Sequence, residues 1–103
     1  MSVTFFDPEN HPVYDQDYNQ VDGGEEVNFS NSNTYMVLRI MGIKVNAGDL
    51  FGEMDGEMFR KRVLIGLATV SSDAFHDQDE YDLERRLNLL WRAFKNAKTV
   101  SWG

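Results

Sequence analysis

The sequence has no cysteine, only two prolines, and no lysine or arginine before residue 39. The absence of cysteine excludes a disulfide framework and any thiolate metal site, and it is typical of proteins in a reducing compartment. No apolar run approaches the ~20 residues that a membrane-spanning helix needs. The first residues also lack the basic and apolar regions of a secretory signal. We therefore expect a cytoplasmic protein.

The missing bases leave the first third of the chain strongly acidic. Residues 1–38 contain seven acids and no base, whereas residues 39–103 contain ten of each, so the first part carries the whole net charge of −7. A negative surface of this kind repels nucleic acid and anionic membranes and attracts a basic partner. The alternative is that the acidity only keeps the protein in solution, and the sequence alone leaves both open.

The composition predicts a single domain with one core. The chain has 103 residues, of which 42% are hydrophobic and 13% aromatic, enough for one core at this length. We divide it into an acidic part of strands and loops at 1–29, a helical part at 30–98 and a short strand at 99–103. This order predicts an α+β fold, in which a small antiparallel sheet packs against about three helices. The last strand either joins that sheet or packs Trp102 on the core.

Short β-prone segments are predicted at Ser2–Phe6, Val13–Tyr14 and Glu25–Phe29. The turn-forming residues of Asp7–Pro12 favour a hairpin of the first two segments. Leu50–Met54 is interpreted as one short turn.

Three helices are predicted, starting near residues 32, 55 and 77. Ser30–Asn33 offers acceptors for the first free N–H groups of the first helix, and Gly42 suits the left-handed position after its end. We expect this helix to be the most buried. In the second helix five apolar residues share one face: Met58, Phe59, Val63, Leu67 and Val70. In the third, Asp77 is the predicted N-cap, with Glu80 three residues on, and six residues trace a core stripe: Leu83, Leu87, Leu90, Trp91, Phe94 and Ala97.

The segment from Asp15 to Glu26 contains the best candidate for a metal site. Four oxygen-bearing side chains occupy positions 1, 3, 5 and 12 of a calcium loop: Asp15, Asp17, Asn19 and Glu26. However, Gln20 stands at position 6, where the sharp turn needs glycine, and the flanking segments are not helical. Two interpretations stay open, a divalent-metal binding module and a solvated acidic loop.

We find no constellation of residues typical of catalysis. The two histidines are His11 and His76, and His76 with its neighbouring carboxylates is the only candidate for a small hydrolase, although a site needs convergent partners. The serines lack a nucleophile elbow and the glycines form no phosphate loop. The basic residues are too few and too mixed with acids for direct nucleic-acid binding. We expect no enzyme and no cofactor.

One pattern resembles a known family. Val27–Asn33, then Met41-Gly42-Ile43, Phe51-Gly52-Glu53 and Val100-Ser101-Trp102 resemble small bacterial and phage proteins with the pattern LNLSNxNA…LLGL…GE…VxW. The similarity covers residues 25–103 and leaves the acidic N-terminus outside. Phe29 stands where that family has leucine, and a threonine follows the Ser-Asn run where it has a small residue. The family has no established activity, so the resemblance implies a shared fold and a bacterial or phage origin, and no reaction.

Taken together, these features predict a non-enzymatic, acidic protein-interaction domain. It would act as an inhibitor or adaptor that docks on a basic surface of a protein partner. Five acids are predicted to contact that partner: Asp15, Asp17, Asp22, Glu25 and Glu26. The alternative is calcium binding through residues 15–26. Binding to nucleic acid or membranes is not expected, and self-association is left open.

Overall fold

The computed structural model describes residues 1–45, 50–72 and 78–103, without the side chains of residues 71, 72 and 78–81. The predicted N-cap Asp77, the side chain of Glu80 and the candidate His76 therefore lie outside the described residues. Within them, the predicted α+β fold is confirmed, since three helices accompany a four-stranded antiparallel sheet and a separate two-stranded sheet.

Along the described chain the elements are β1 (Ser2–Phe6), β2 (Val13–Tyr14), β3 (Gln20–Asp22), β4 (Glu26–Ser30), α1 (Asn31–Ile40), β5 (Gly52–Asp55), α2 (Gly56–Ser72), α3 (Gln78–Ala93) and β6 (Thr99–Trp102).

The larger sheet has the strand order β4-β1-β6-β5, and every neighbouring pair is antiparallel. β1 pairs with β4 along its whole length, with Phe5 opposite Val27. On its other side β1 pairs with β6, which places Trp102 opposite Phe5. The C-terminal strand therefore joins the sheet and also buries Trp102, which is 6% exposed.

Two predictions about strands are wrong. Val13–Tyr14 does not pair with Ser2–Phe6 but with β3, while β1 pairs with β4 and β6. Leu50–Met54 is not a turn, because Gly52–Asp55 forms the edge strand β5, and the stretch 30–98 is therefore not helical throughout. Gly52 has a packing role there, since a Cβ at this position would lie 2.5 Å from the indole of Trp102.

Aromatic rings fill the space between the inner face of the sheet and the helices. Phe5 of β1 and Phe59 of α2 are both fully buried, and their ring centroids are 6.1 Å apart. Phe59 also contacts the rings of Trp102 at 6.2 Å and Phe94 at 6.0 Å. These contacts join the sheet to α2 and to the residues that follow α3.

The two ends of α1 are as predicted, but its burial is not. The Ser30 hydroxyl accepts the N–H of Asn33 at 3.2 Å, and Gly42 adopts a φ of +75° just after the helix. Tyr35 and Met36, however, are 43% and 40% exposed. The helix packs on its neighbours through Thr34, Val37 and Leu38, and positions 35 and 36 point away from that stripe.

The core stripes of α2 and α3 are largely confirmed. Among the side chains of α3 that the structure describes, Leu83, Leu87 and Leu90 are buried, whereas Trp91 is only partly buried. In α2 they include Phe59, Val63 and Val70, but Met58 is 45% exposed and does not belong to the buried face. One position along a helix corresponds to a rotation of about 100°, so a residue beside Phe59 falls on the outer side.

Candidate functional site: a projecting acidic arm

The connection between β1 and β4, residues 7–25, forms a projecting segment that we call the acidic arm. It contains β2 and β3, carries six acids and no base, and ends at the edge strand β4. Among the described residues, the backbones of β2 and β3 lie close to each other and to no other strand or helix, and all five of their residues are exposed. The dimensions of 46 × 27 × 26 Å fit a compact body with an extension.

The tip of the acidic arm is a tight turn that the carboxylate of Asp15 organises. Its Oδ1 accepts the N–H of Asp17 at 2.9 Å and that of Asn19 at 3.0 Å. The backbone N–H of Asp15 donates to the carbonyl of Asn19 at 2.9 Å, and Tyr18 N–H donates to the carbonyl of Asp15 at 3.1 Å. These bonds hold Tyr18 at a φ of +62°, in the left-handed region that aromatic residues rarely adopt.

The base of the acidic arm is a narrow neck. Gly24 N–H donates to the carbonyl of Asn10 at 2.8 Å. Gly23 has a φ of +86°, and a Cβ there would overlap the backbone carbonyl of His11, so this position requires glycine. The imidazole of His11 stacks on the ring of Phe6 with centroids 5.1 Å apart. The two chain segments of the neck therefore lie in direct contact.

A side-chain hydrogen bond links the arm to the large sheet. The hydroxyl of Tyr14, on β2, donates to Oε1 of Glu26, on β4, at 2.9 Å. This bond to the Glu26 carboxylate raises the pKa of Tyr14 above its ordinary value of 10.0, with smaller contributions from desolvation and from the negative charge itself. The bond favours the protonated phenol.

The Glu26→Ala substitution should therefore lower the pKa of Tyr14 toward 10.0, because both the hydrogen-bond acceptor and the negative charge are lost. Since the pKa is raised in the folded state, the stability that this bond contributes is present below pH 10.0 and is lost as pH rises through the folded-state pKa. Ultraviolet titration of the tyrosines measures the shift, and Tyr14→Phe identifies the step that belongs to this residue. A titration curve unchanged by Glu26→Ala would refute the assignment.

Exposed apolar side chains accompany the acids on the arm. Tyr18 at the tip is 88% exposed and Val21 is 61% exposed, while Val13 and Tyr14 are 50% and 45% exposed. Tyrosine is enriched at the centres of protein–protein interfaces, where its ring supplies a large contact area. These four residues were missed in the sequence. The turn-forming run Asp15–Asn19 between two Val-containing segments was the signal that could have revealed the hairpin.

The five acids predicted to contact a partner are all exposed. Asp15 and Asp17 lie at the tip, Asp22 ends β3, and Glu25 and Glu26 lie where the arm meets β4. Asp15 and Glu26 also have structural roles, since each accepts a hydrogen bond that shapes the arm.

The candidate calcium ligands do not converge on one point. Oδ1 of Asp15 faces backbone N–H groups within its own turn, and Glu26 lies on β4 and accepts the Tyr14 hydroxyl. In the part of the chain that the structure describes, no three acidic or histidine side chains come together as metal ligands. The spacing of a calcium loop is therefore present in the sequence without the geometry of one.

The structure adds two acids to the region beside the arm. The face of the large sheet that points away from the helices carries Glu53 and Asp55 of β5 as well as Glu26 of β4. On β6 the intervening outward residue is Ser101, whose hydroxyl donates to Oε1 of Glu53 at 2.9 Å. No lysine or arginine occurs in any of the four strands. The uncovered face of the sheet is thus acidic too.

No family model, curated protein or solved structure matches this chain. The resemblance to small bacterial and phage proteins therefore stays a prediction. Among the described helices, none is long and apolar enough to cross a membrane.

Proposed function

We propose that this chain is a non-enzymatic protein-interaction domain of bacterial or phage origin, which docks its acidic arm on a basic surface of a protein partner. It would act in the cytoplasm as an inhibitor or adaptor. The observation that carries the proposal is a projecting hairpin on which acids and apolar side chains are exposed together, with no base among them. The acids would accelerate encounter with a basic surface, and the rings would supply contact area once docked.

In its sharpest form, the basic surface is a nucleic-acid-binding site that the acidic arm blocks. Such sites use lysine and arginine to hold phosphates, and a row of carboxylates competes for the same side chains. Three of the six acids of the arm, Asp15, Asp17 and Asp22, project from the body on a hairpin whose backbone is fixed at both the tip and the neck. A rigid arm loses less conformational freedom on docking than a disordered acidic tail would.

The test compares affinity capture from a bacterial lysate by the parent chain and by a five-fold amide variant. The substitutions are Asp15→Asn, Asp17→Asn, Asp22→Asn, Glu25→Gln and Glu26→Gln. Each amide keeps an acceptor oxygen, so the turn bonds to Asp15 and the Tyr14 bond to Glu26 can still form. The variant therefore removes charge with little change in shape.

We expect the amide variant to capture the partner at least roughly tenfold less well, because steering by charge is lost. Raising the salt from about 0.1 M to 1 M should weaken capture by the parent chain in the same way, since the Debye length falls from about 10 to 3 Å. A charge-preserving control, Asp17→Glu with Asp22→Glu and Glu25→Asp, should capture normally. Capture that resists both neutralisation and salt would overturn the charge-driven proposal.

A further inference from the structure

The free edge of β4 offers unpaired backbone groups beside α3. Thr4 of β1 exchanges two backbone hydrogen bonds with Gly103, at 3.0 and 3.1 Å, and so directs its N–H and C=O toward β6. Alternate residues of a strand point to opposite sides, so Val3 and Phe5 bond to their β4 partners Phe29 and Val27. The backbone groups of the remaining β4 residues, Glu26, Asn28 and Ser30, then point away from the sheet. Of these, the Ser30 carbonyl already accepts the Thr34 hydroxyl at 2.9 Å.

This edge forms one wall of a groove whose other wall is α3. The groove is lined by Glu25, Glu26, Val27 and Asn28 on the strand side, and by Leu89 and Arg92 on the helix side. Arg92 also lines the neighbouring surface of α3, together with Glu84, Arg85 and Asn88. Among the described residues, neither Glu84 nor Arg92 forms an ion pair. The edge and the outer side of α3 thus form one continuous surface.

We propose that this surface pairs with the same surface of a second copy of the chain, in a symmetric dimer. Two β4 strands would align antiparallel about a two-fold axis at Asn28, which continues the sheet from one copy into the other. In this register Asn28 of one copy faces Asn28 of the second copy, and Glu26 faces Ser30. No two acids of β4 lie directly opposite each other, so the like-charge repulsion that opposes strand pairing is avoided.

The charges on α3 obey the same symmetry. β6 begins at the end of the sheet where β4 also begins, because Ser101 and Glu26 both lie opposite Phe6. The chain reaches β6 from the end of α3, and the leucines of α3 are buried in the core over the sheet. We infer that α3 runs back along the sheet, antiparallel to β4. A strand rises about 3.3 Å per residue and a helix about 1.5 Å. With Arg92 beside the start of β4, Asn88 therefore falls near Asn28, and Glu84 falls near Ser30. A two-fold axis at Asn28 then brings Glu84 of each copy toward Arg92 of the other.

The opposite edge of the sheet does not have this complementarity. On β5, Gly56 N–H donates to the carbonyl of Lys98 at 2.8 Å, so the alternation along the strand directs the backbone groups of Glu53 and Asp55 to the free edge. Pairing two copies of β5 would place these acids against each other, which disfavours the contact. Charge therefore selects β4 as the edge that self-associates.

A charge-swap experiment on the full chain tests the dimer by sedimentation equilibrium near 0.15 M salt, where charges beyond about 8 Å are screened. The parent chain should sediment with an apparent mass of twice the 11.9 kDa of a single chain. Arg92→Glu alone, or Glu84→Arg alone, should raise the dimer dissociation constant roughly tenfold, because symmetry repeats the lost pair twice. The double variant Glu84→Arg with Arg92→Glu should restore the dimer, since the pairs re-form with reversed sign.

Two further variants separate edge pairing from other effects. Asn28→Pro removes an N–H that points away from the sheet, so it should weaken the dimer while the chain still folds, as judged by circular dichroism. Lys61→Glu, on α2, should leave the dimer intact. A parent chain that is monomeric at its highest soluble concentration would overturn the proposal. The free edge of β4 would then be available to pair with a strand from another protein. Failure of the double variant to recover would overturn it as well. Neither result bears on the part of the acidic arm beyond its neck, residues 11–23, because Glu25 and Glu26 are the only predicted partner contacts that line the β4 groove.

Discussion

Phe59→Ala is expected to lower the free energy of unfolding by about 3–5 kcal/mol. The ring is fully buried and lies within 6.2 Å, between ring centroids, of Phe5, Phe94 and Trp102. Its removal would leave a cavity at the point where the sheet meets the helices, and three other rings would lose their packing partner. The total free energy of unfolding of a domain of this size is only about 5–15 kcal/mol. The variant would therefore be marginally stable.

Urea denaturation of both chains measures this loss, and the same helix provides the control. Leu64 of α2 is 49% exposed, so Leu64→Ala should change the free energy of unfolding by no more than about 0.5 kcal/mol. If Phe59→Ala lowered the free energy of unfolding no more than Leu64→Ala does, the aromatic cluster would not be the centre of the core.

Tyr18→Asn is expected to weaken binding to the protein partner by about 2 kcal/mol, or roughly 30-fold, if Tyr18 anchors the docked arm. In the free domain the ring is 88% exposed, so nothing in the body depends on it. Its backbone sits at a φ of +62°, where asparagine is tolerated better than an aromatic residue. The same substitution should therefore leave the free energy of unfolding unchanged or slightly higher.

Opposite effects on binding and stability distinguish an anchor from a structural residue. Tyr18→Phe keeps the ring and should retain most of the affinity. Tyr35→Ala, at a tyrosine that is 43% exposed on α1, should bind normally. Binding kinetics with the captured partner provide the readout, with the loss expected in the dissociation rate. Normal binding by Tyr18→Asn would show that Tyr18 does not anchor the docked arm.

The sequence predicted elements whose signals are local. Ser30 with Asn33 indicated where α1 begins, Gly42 indicated where it ends, and a regular spacing of leucines indicated the buried side of α3. Each of these depends on residues within a few positions of one another. The sequence also predicted the final strand, because the β-prone segment that contains Trp102 must bury the large indole ring against the rest of the protein.

The elements that were mispredicted depend on contacts between distant segments. In the sequence Gly52 is typical of a turn, and only the structure shows that the indole of Trp102 packs closely against it. β3 was not predicted, because its three residues have no buried side and are too few to establish the alternation of polar and apolar residues that marks a half-buried strand. Proximity in sequence favours a hairpin of β1 with β2, whereas β1 instead pairs with β4, which buries Phe29 in the core.

The sequence predicted the negative charge of the candidate site but not its hairpin structure. All five acids expected to contact a partner are exposed, but their arrangement along a hairpin could not be predicted without the turn that Asp15 organises. The four exposed apolar residues of the arm were read as ordinary strand or loop residues. Exposure is a property of the whole fold, so composition alone could not separate them from core residues.

The most direct test removes residues 11–23, the part of the acidic arm beyond its neck, and leaves the body. Asn10 and Gly24 already form a hydrogen-bonded pair at 2.8 Å, so a two-residue Asn-Gly turn can replace residues 11–23. Quantitative affinity capture from a bacterial lysate, with the parent chain and this shortened chain side by side, is the measurement. We expect the shortened chain to fold with a free energy of unfolding within about 1 kcal/mol of the parent, and to lose the partner. Capture of the same partner at parental strength by the shortened chain would contradict the assignment of docking to the arm.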